Sequence, residues 1–271
     1  MRFVVAGGLL YAWMRARGAP RPDRAHWRAT AVVGGLMLLV GNGAVVWAEQ
    51  WVPSGLVALL IASVPLWMVL VEGVAEGTGP PGRGLVLGLV WGLAGVALLV
   101  SGRELGGGSA HDLAGALVVL AGSLAWAMGS IYSRRATLPA SPRLATAMEM
   151  AAGGAMLLAL GGLMGEWTRI DPDGVSVRSL LALAYLIVFG SLIAFTAYIW
   201  LLQVASAARV STYAYVNPLV ALLLGWALAD EPLDGRTLVA AAVILSAVWQ
   251  ITRHGSRRGG VAVARAGAAA D

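Results

Sequence analysis

The sequence predicts an all-α integral membrane protein built from two inverted repeats of transmembrane helices. Composition, the spacing of apolar runs and the placement of arginine lead there. Of 271 residues, 59% are hydrophobic and 12% charged, and the mean hydropathy is +0.77. A soluble domain carries about 25% charged residues, so there is too little polar surface here to cover a water-exposed globule. The charges cluster and leave long uncharged runs between them. A run of about 20 residues crosses the ~30 Å hydrocarbon core as a helix. In lipid the backbone must satisfy its own hydrogen bonds, which favours helices, and the alternation of a membrane barrel is absent.

The elements follow in order. Apolar runs lie at 3–14, 30–48, 54–74, 84–101, 112–131, 144–163, 179–200, 211–229 and 238–252, which gives nine spans. The first is short and has Arg2 at its edge. All 19 basic residues are arginine, and 14 of them fall on one side of the alternating topology. They include the five in "RARGAPRPDRAHWR" (15–28), Arg83, Arg134, Arg135, Arg143, Arg209 and the tail after 252. That side is the cytoplasm, and it holds the C-terminus. The opposite loops carry Glu104, Asp112, Glu166, Asp171, Asp173, Asp230, Glu231 and Asp234. The net charge of +5 therefore reads as orientation rather than as a nucleic-acid footprint. Abundant Ala, Gly and Arg suggest a GC-rich bacterial genome, hence a multi-pass protein of the bacterial cytoplasmic (inner) membrane. With no cysteine, disulfides and thiolate metal sites are excluded.

A shift of 153 residues lays Val57 on Val210, Pro65 on Pro218, Leu66 on Leu219 and Gly82-Arg83 on Gly235-Arg236, without a gap. Arg83 falls inside and Arg236 outside, so the repeats are inverted, a construction that recurs in transporters. The first repeat covers 1–105 and the second 111–254; 255–271 reads as a disordered cytoplasmic tail. "AGGLL" (6–10) resembles "AGGAM" (152–156), which pairs the opening run with the run at 144–163. An equivalent of 112–131 is then missing from the front, through a late start site or a truncation.

Four stretches carry a family resemblance: "GNGAVVWAEQWVPSGLVALLIASVPLW" (41–67), "GSLAWAMGSIYSRR" (122–135), "AMEMAAGG" (147–154) and "TYAYVNPLVALLLG" (212–225). In this order and spacing they resemble the EamA family of the drug/metabolite transporter superfamily, within it the YedA-like exporter group. The resemblance covers essentially the whole chain from the second family helix onward. It implies ten helices in two inverted five-helix repeats, both termini cytoplasmic, and export or exchange of a small metabolite, amino-acid-like compound or drug. The chain departs from the pattern in lacking the first helix, so a non-transporting fragment stays open as an alternative.

Several residues are candidates for the substrate path. Pro218 has no N–H, so the carbonyl of Ala214 loses its helical partner. Asn217 adds an amide beside it, and Tyr213 shares its face four residues earlier. With Tyr215 they form a polar notch in an apolar run, and polar groups at that depth normally face protein or a water-filled cavity. The other reading is a simple kink with the tyrosines in an interfacial aromatic belt. Pro65 marks the matching position, freeing the carbonyl of Ile61. Trp126, on one face with Ser130 and Ser133, can stack on an apolar substrate or fill a packing gap. Asn42, mid-run, can hydrogen-bond across helices, and Glu49 sits at the external mouth. Glu149 is the acidic residue well inside a run. A carboxyl there can exchange a proton with substrate or water, or can pair with Arg143 or Arg2 near the cytoplasmic end. Gly84, Gly88 and Gly92 form a stripe suited to close helix contact.

Catalysis is disfavoured. His26, His111 and His254 lie in loops, no paired-ligand spacing exists, and there is no phosphate-binding loop. The expected cofactor set is empty and the protein is not read as an enzyme; a membrane-embedded enzyme is the weaker alternative. The expected partners are the lipid bilayer and a small-molecule substrate, with no nucleic acid; a homodimer is one assembly this reading allows.

Overall fold

The computed structural model describes the backbone of residues 1–52, 54–77, 81–100, 110–169, 174–229 and 235–268. Side chains are described over the same ranges except at 54, 55, 99, 100, 110–112, 169, 221, 222, 224–229, 237 and 255–268. Glu104, Asp171, Asp173, Asp230, Glu231 and Asp234, read as external charges, lie outside the described residues.

Among the described residues all regular structure is helical. Every apolar run has become a helix or a closely spaced helix pair. In chain order these are α1 (Arg2–Ala16), α2 (Arg24–Ala48), α3 (Ser54–Ile61), α4 (Val64–Glu76), α5 (Arg83–Val100) and α6 (Ala110–Ser133). There follow α7 (Pro142–Leu163), α8 (Val177–Val204), the short α9 (Ala207–Val210), α10 (Tyr213–Ala229) and α11 (Gly235–Ala268). By length and apolar composition α2, the α3–α4 stretch, α6, α7 and α8 can each cross a bilayer, while 83–98 and 238–254 are shorter apolar helices. Local chemistry sets the ends. Asp23 caps α2 by accepting the His26 N–H at 2.8 Å, and the Asp23 N–H donates to His26 Nδ1 at 3.2 Å, a reciprocal cap. Pro142 opens α7, where its missing N–H costs nothing. Gly77, at φ +60°, ends α4 in the left-handed conformation that glycine adopts without strain.

The chain forms two compact units, each drawn from both repeats. The first holds Met1–Ala44 and Met128–Val204. Its centre is α7, which packs against α1 and α2 through glycines. A side chain at Gly7 would run into the Ala147 carbonyl, and one at Gly154 into the Val4 amide and the Phe3 side chain. The two helices are therefore antiparallel, and they are the "AGGLL" and "AGGAM" mates. On its other face α7 meets α2, where Gly34 and Gly153 lie against each other's backbone. Gly129, near the end of α6, is packed on Leu36 and Met37.

The second unit holds Val45–Ala127 and Ala205–Asp271. Here α5 and α11, mates under the 153 shift, also run antiparallel. Gly84 faces the His254 ring, Gly88 faces Ile251, Gly95 faces Ile244 and Val243, and Arg236 Nε donates to the Leu98 carbonyl at 3.1 Å. At the opposite end Gln250 Nε2 donates to the Gly84 carbonyl at 3.2 Å. Leu85, Leu89, Val96, Tyr215, Leu219, Ile244 and Ile251 form the core of this unit. In both units a helix lies against its own inverted mate, so the repeat seen in the sequence is built into the packing.

Three local features differ from the sequence reading. Pro65 is not inside a continuous helix: α3 ends at Ile61, a turn follows at Ala62–Ser63, and Pro65 enters α4 in its first turn. The break falls where proline cannot donate, which is the cheapest place for it. Pro218, by contrast, stays inside α10. The last helix, α11, runs on to Ala268. His26, His111 and His254, read as loop residues, belong to α2, α6 and α11, with His254 Nδ1 2.9 Å from the Gln250 carbonyl. Finally, α2 and α8 each contain a π-helical segment, Gly35–Asn42 and Leu186–Phe195.

Candidate functional site

The candidate residues divide between the units. Glu149, on the second turn of α7, belongs to the first. It is 0% exposed, and neither carboxyl oxygen has a hydrogen-bond partner. The pairing with Arg2 that the sequence left open is not made: Arg2 Nη2 donates instead to Asn42 Oδ1 at 2.9 Å, and the guanidinium lies 4.4 Å from the centre of the Phe3 ring. Nor does Arg143 pair with Glu149. Two further hydroxyls of this unit, Ser191 Oγ and Thr196 Oγ1 on α8, are also buried without a partner. Most buried polar atoms in proteins are hydrogen-bonded, so each exception calls for an explanation. Three on neighbouring helices of one unit mark it as more polar inside than its composition suggests.

Asn42 is half-buried at the end of the π segment of α2, and its amide oxygen is taken by Arg2. This tie joins the start of α1 to the end of the π segment of α2. Ser130, completely buried, shares a 2.7 Å hydrogen bond with Tyr198 on α8, and Ser133 Oγ donates to the Ser130 carbonyl at 2.8 Å. The sequence pointed to Ser130 only as a neighbour of Trp126 and did not single out Tyr198. The signal available was a tyrosine inside an apolar run, which needs a partner for its hydroxyl.

The second unit holds the α10 residues, Pro65 and Trp126. Trp126 is half-buried, and Pro65 is buried at the head of α4. Tyr215 is 1% exposed, and its hydroxyl donates to the Leu89 carbonyl at 3.0 Å. Its ring fills the space above Gly92, where an added Cβ would lie 2.8 Å from ring carbon Cε2. This placement packs Tyr215 between α10 and α5. Gly84 and Gly88 bring the same helix, α5, against α11. Tyr215→Phe is expected to cost about 1 kcal/mol, the worth of one buried hydrogen bond. Thermal unfolding in detergent would measure it, and Tyr215→Ala, which empties the ring's volume above Gly92, should cost several times more.

Around the same helix, Tyr213 and Pro218 are half-buried, while Asn217, Val220 and Leu223 are exposed. Asn217 thus points away from the core that holds Tyr215 and Leu219. Of the polar notch, Tyr215 turns inward and Asn217 outward, as the 3.6-residue period requires for positions two apart. No cluster of metal-binding side chains occurs among the described residues.

Comparison with known proteins decides the family. The model of the EamA-like transporter family matches residues 1–101 and again 113–253. The chain belongs to the EamA-like transporter family. It is 41% identical over 254 residues to the inner membrane transporter YedA of Escherichia coli strain K12, covering 93% of this chain and 79% of that one. It is 29% identical to the protein PecM of Dickeya dadantii over 82% of this chain and 72% of PecM. A chloroplastic WAT1-related protein of Arabidopsis thaliana is 26% identical over 92% of this chain and 61% of its own length. A solved crystal structure, at 21% identity, shares the fold with a TM-score of 0.77 over 94% of this chain and 86% of that one. As an EamA-like transporter this is a multi-pass, all-helical membrane protein, and its partners are the bilayer and a small-molecule substrate.

Proposed function

We propose that this EamA-like protein is a secondary transporter that exports or exchanges a small metabolite, amino-acid-like compound or drug by alternating access, coupled to protons at Glu149. The observation that carries the coupling is the Glu149 carboxyl, fully buried in a span with both oxygens unpartnered. Structural carboxylates at such depth pair with a cation or a donor; one without a partner is free to take and release a proton. The repeats support the mechanism, because inverted mates let the same contacts be rearranged toward either side of the membrane. Tyr213, Asn217 and Pro218 on α10, with Asn42, Pro65 and Trp126, are the residues we assign to the path. An exposed amide in an apolar helix supports this for Asn217, since such a group needs water, protein or substrate beside it. The arginine pattern supports a cytoplasmic C-terminus. No phosphate-binding loop is present in the sequence, so ion coupling rather than ATP hydrolysis is the energy source. We read the protein as a carrier and not an enzyme.

The test is counterflow in proteoliposomes containing the purified chain, with labelled amino acids and amphipathic dyes, with and without an imposed pH gradient. Saturable counterflow of one class, accelerated by the gradient, is expected. A folded, reconstituted protein that moves none of them would remove this reading.

A further inference from the structure

We propose that the two π-helical segments, Gly35–Asn42 in α2 and Leu186–Phe195 in α8, are a repeat-matched pair of hinges at which these helices change their bend. The proposal rests on the alternating-access reading, because a carrier of that kind must bend or rock some of its spans. π-Helices are rare, usually single turns, and concentrate at functional positions. Here two occur among the described residues, each eight residues or longer.

Their positions are not independent. The last residues of the two segments, Asn42 and Phe195, stand in the same 153-residue register as the two prolines. The same shift lays Ala44 on Ala197, Trp47 on Trp200 and Gln50 on Gln203. The widened backbone thus ends at one and the same place in both repeats. Local sequence does not account for this. The first segment ends in Gly-Asn-Gly (41–43), the second in Ala-Phe-Thr (194–196). What the two have in common is their place in the repeat, so the feature belongs to the design of the repeat.

A π turn holds one residue more than an α turn, and its hydrogen bonds can revert to the α pattern with a small rotation of the helix beyond. Helices kink at such points, and hinges are a few residues that absorb the backbone change while both sides stay rigid. The settings of the two segments are unequal. Gly35–Asn42 is clasped: Leu36 and Met37 lie on Gly129, Gly35 faces Met156 Sδ at 3.5 Å, and the next residue, Gly43, faces Leu157 at 3.3 Å. Just beyond it, at Val45, α2 passes into the other compact unit. Leu186–Phe195 buries Ser191 and Phe195 but exposes Leu186, Val188, Phe189 and Ile193. The nearest atom to a side chain added at Gly190 would be Leu186 Cδ2 at 3.8 Å. Both segments are packed within the first unit, Gly35–Asn42 against α7 and Leu186–Phe195 against α1.

The chain has no cysteine, so paired spin labels can be placed without background. Leu9→Cys with Val177→Cys reads the tip of the nine-residue arm of α8 that precedes its π segment, against α1; both sites are exposed. That arm is about 13 Å long, so a bend of about 20° moves its tip by about 5 Å. Leu9→Cys with Leu160→Cys, on the packed pair α1 and α7, is the control. In nanodiscs the arm pair is expected to give two distances about 5 Å apart, and the control one. Deleting Val188, which removes the extra residue, is expected to leave a single arm distance. An arm distribution as narrow as the control's overturns the proposal. Should the deletion not fold, the labels on the undeleted chain still decide, together with hydrogen exchange. Exchange at 186–195 is expected about tenfold faster than in α7, and equal rates count against a hinge. Two arm distances without counterflow of any substrate would leave the hinge and remove the carrier; counterflow with one arm distance would do the reverse.

Discussion

Gly153→Ala is expected to destabilise the protein by about 3 kcal/mol or more, the upper end of overpacking costs. The added methyl would lie 2.6 Å from the Gly34 carbonyl oxygen, 2.9 Å from the Gly34 carbonyl carbon and 2.9 Å from Leu38 Cβ. None of these atoms is the end of a flexible side chain. Relief requires α2 and α7 to move apart, which also breaks the contact of Gly34 with the Glu149 backbone. Apolar side chains do little to hold helices together in lipid, because the lipid is equally apolar; close backbone approach does that work. The two controls are Gly8→Ala and Gly190→Ala. Gly8 has no atom within 4 Å of an added Cβ, and Gly190 has none closer than 3.8 Å. At both, alanine should be neutral or stabilising by up to about 1 kcal/mol, from helix propensity alone. Thermal unfolding in detergent separates the cases: a fall on the order of 10 °C for Gly153→Ala, against no fall for the controls. Equal melting temperatures would mean that the α2–α7 crossing is looser than its backbone contacts indicate.

The glycines also show which parts of the fold could be read in advance. The helices were legible because length and hydropathy alone decide what crosses a bilayer, and the inversion was legible because Pro65/Pro218 and Gly82-Arg83/Gly235-Arg236 are rarer matches than leucine on leucine. The Gly84–Gly92 stripe was legible as a contact surface, though not its partners, His254, Ile251 and Tyr215. The π segments were not legible, since hydrogen-bond register leaves no compositional mark, and Gly-Asn-Gly and Ala-Phe-Thr end the same structure. The side that Tyr215 faces was not legible for a related reason. Two residues from Asn217 it faces the opposite side of the helix, and only the position of α5 reveals which side is core. The break before Pro65 and the continuous helix through Pro218 show the same limit. A proline frees one carbonyl in either case, and tertiary contacts choose whether the helix stops.

Glu149→Met is expected to abolish proton-dependent counterflow while leaving stability unchanged or raised by about 1–3 kcal/mol, the cost of burying a polar group without a partner. Methionine approximates the length of the side chain and removes only its chemistry. Were the carboxyl structural, its loss would orphan a partner and lower stability; no such partner is present, since both oxygens are unbonded. Glu149→Gln should behave as Met does in transport, because an amide cannot carry a proton, but without the gain in stability, because the amide is also unsatisfied. Glu149→Asp keeps the chemistry and shortens the reach, so it should restore part of the flux. The informative readout is the split between gradients. A variant that still exchanges substrate for substrate yet ignores a pH gradient has lost coupling and kept the path. If Glu149→Gln keeps its pH-gradient dependence, the proton must travel elsewhere. If Glu149→Met melts well below the parent, the carboxyl is a strut, and its partner arises in a state other than the one described.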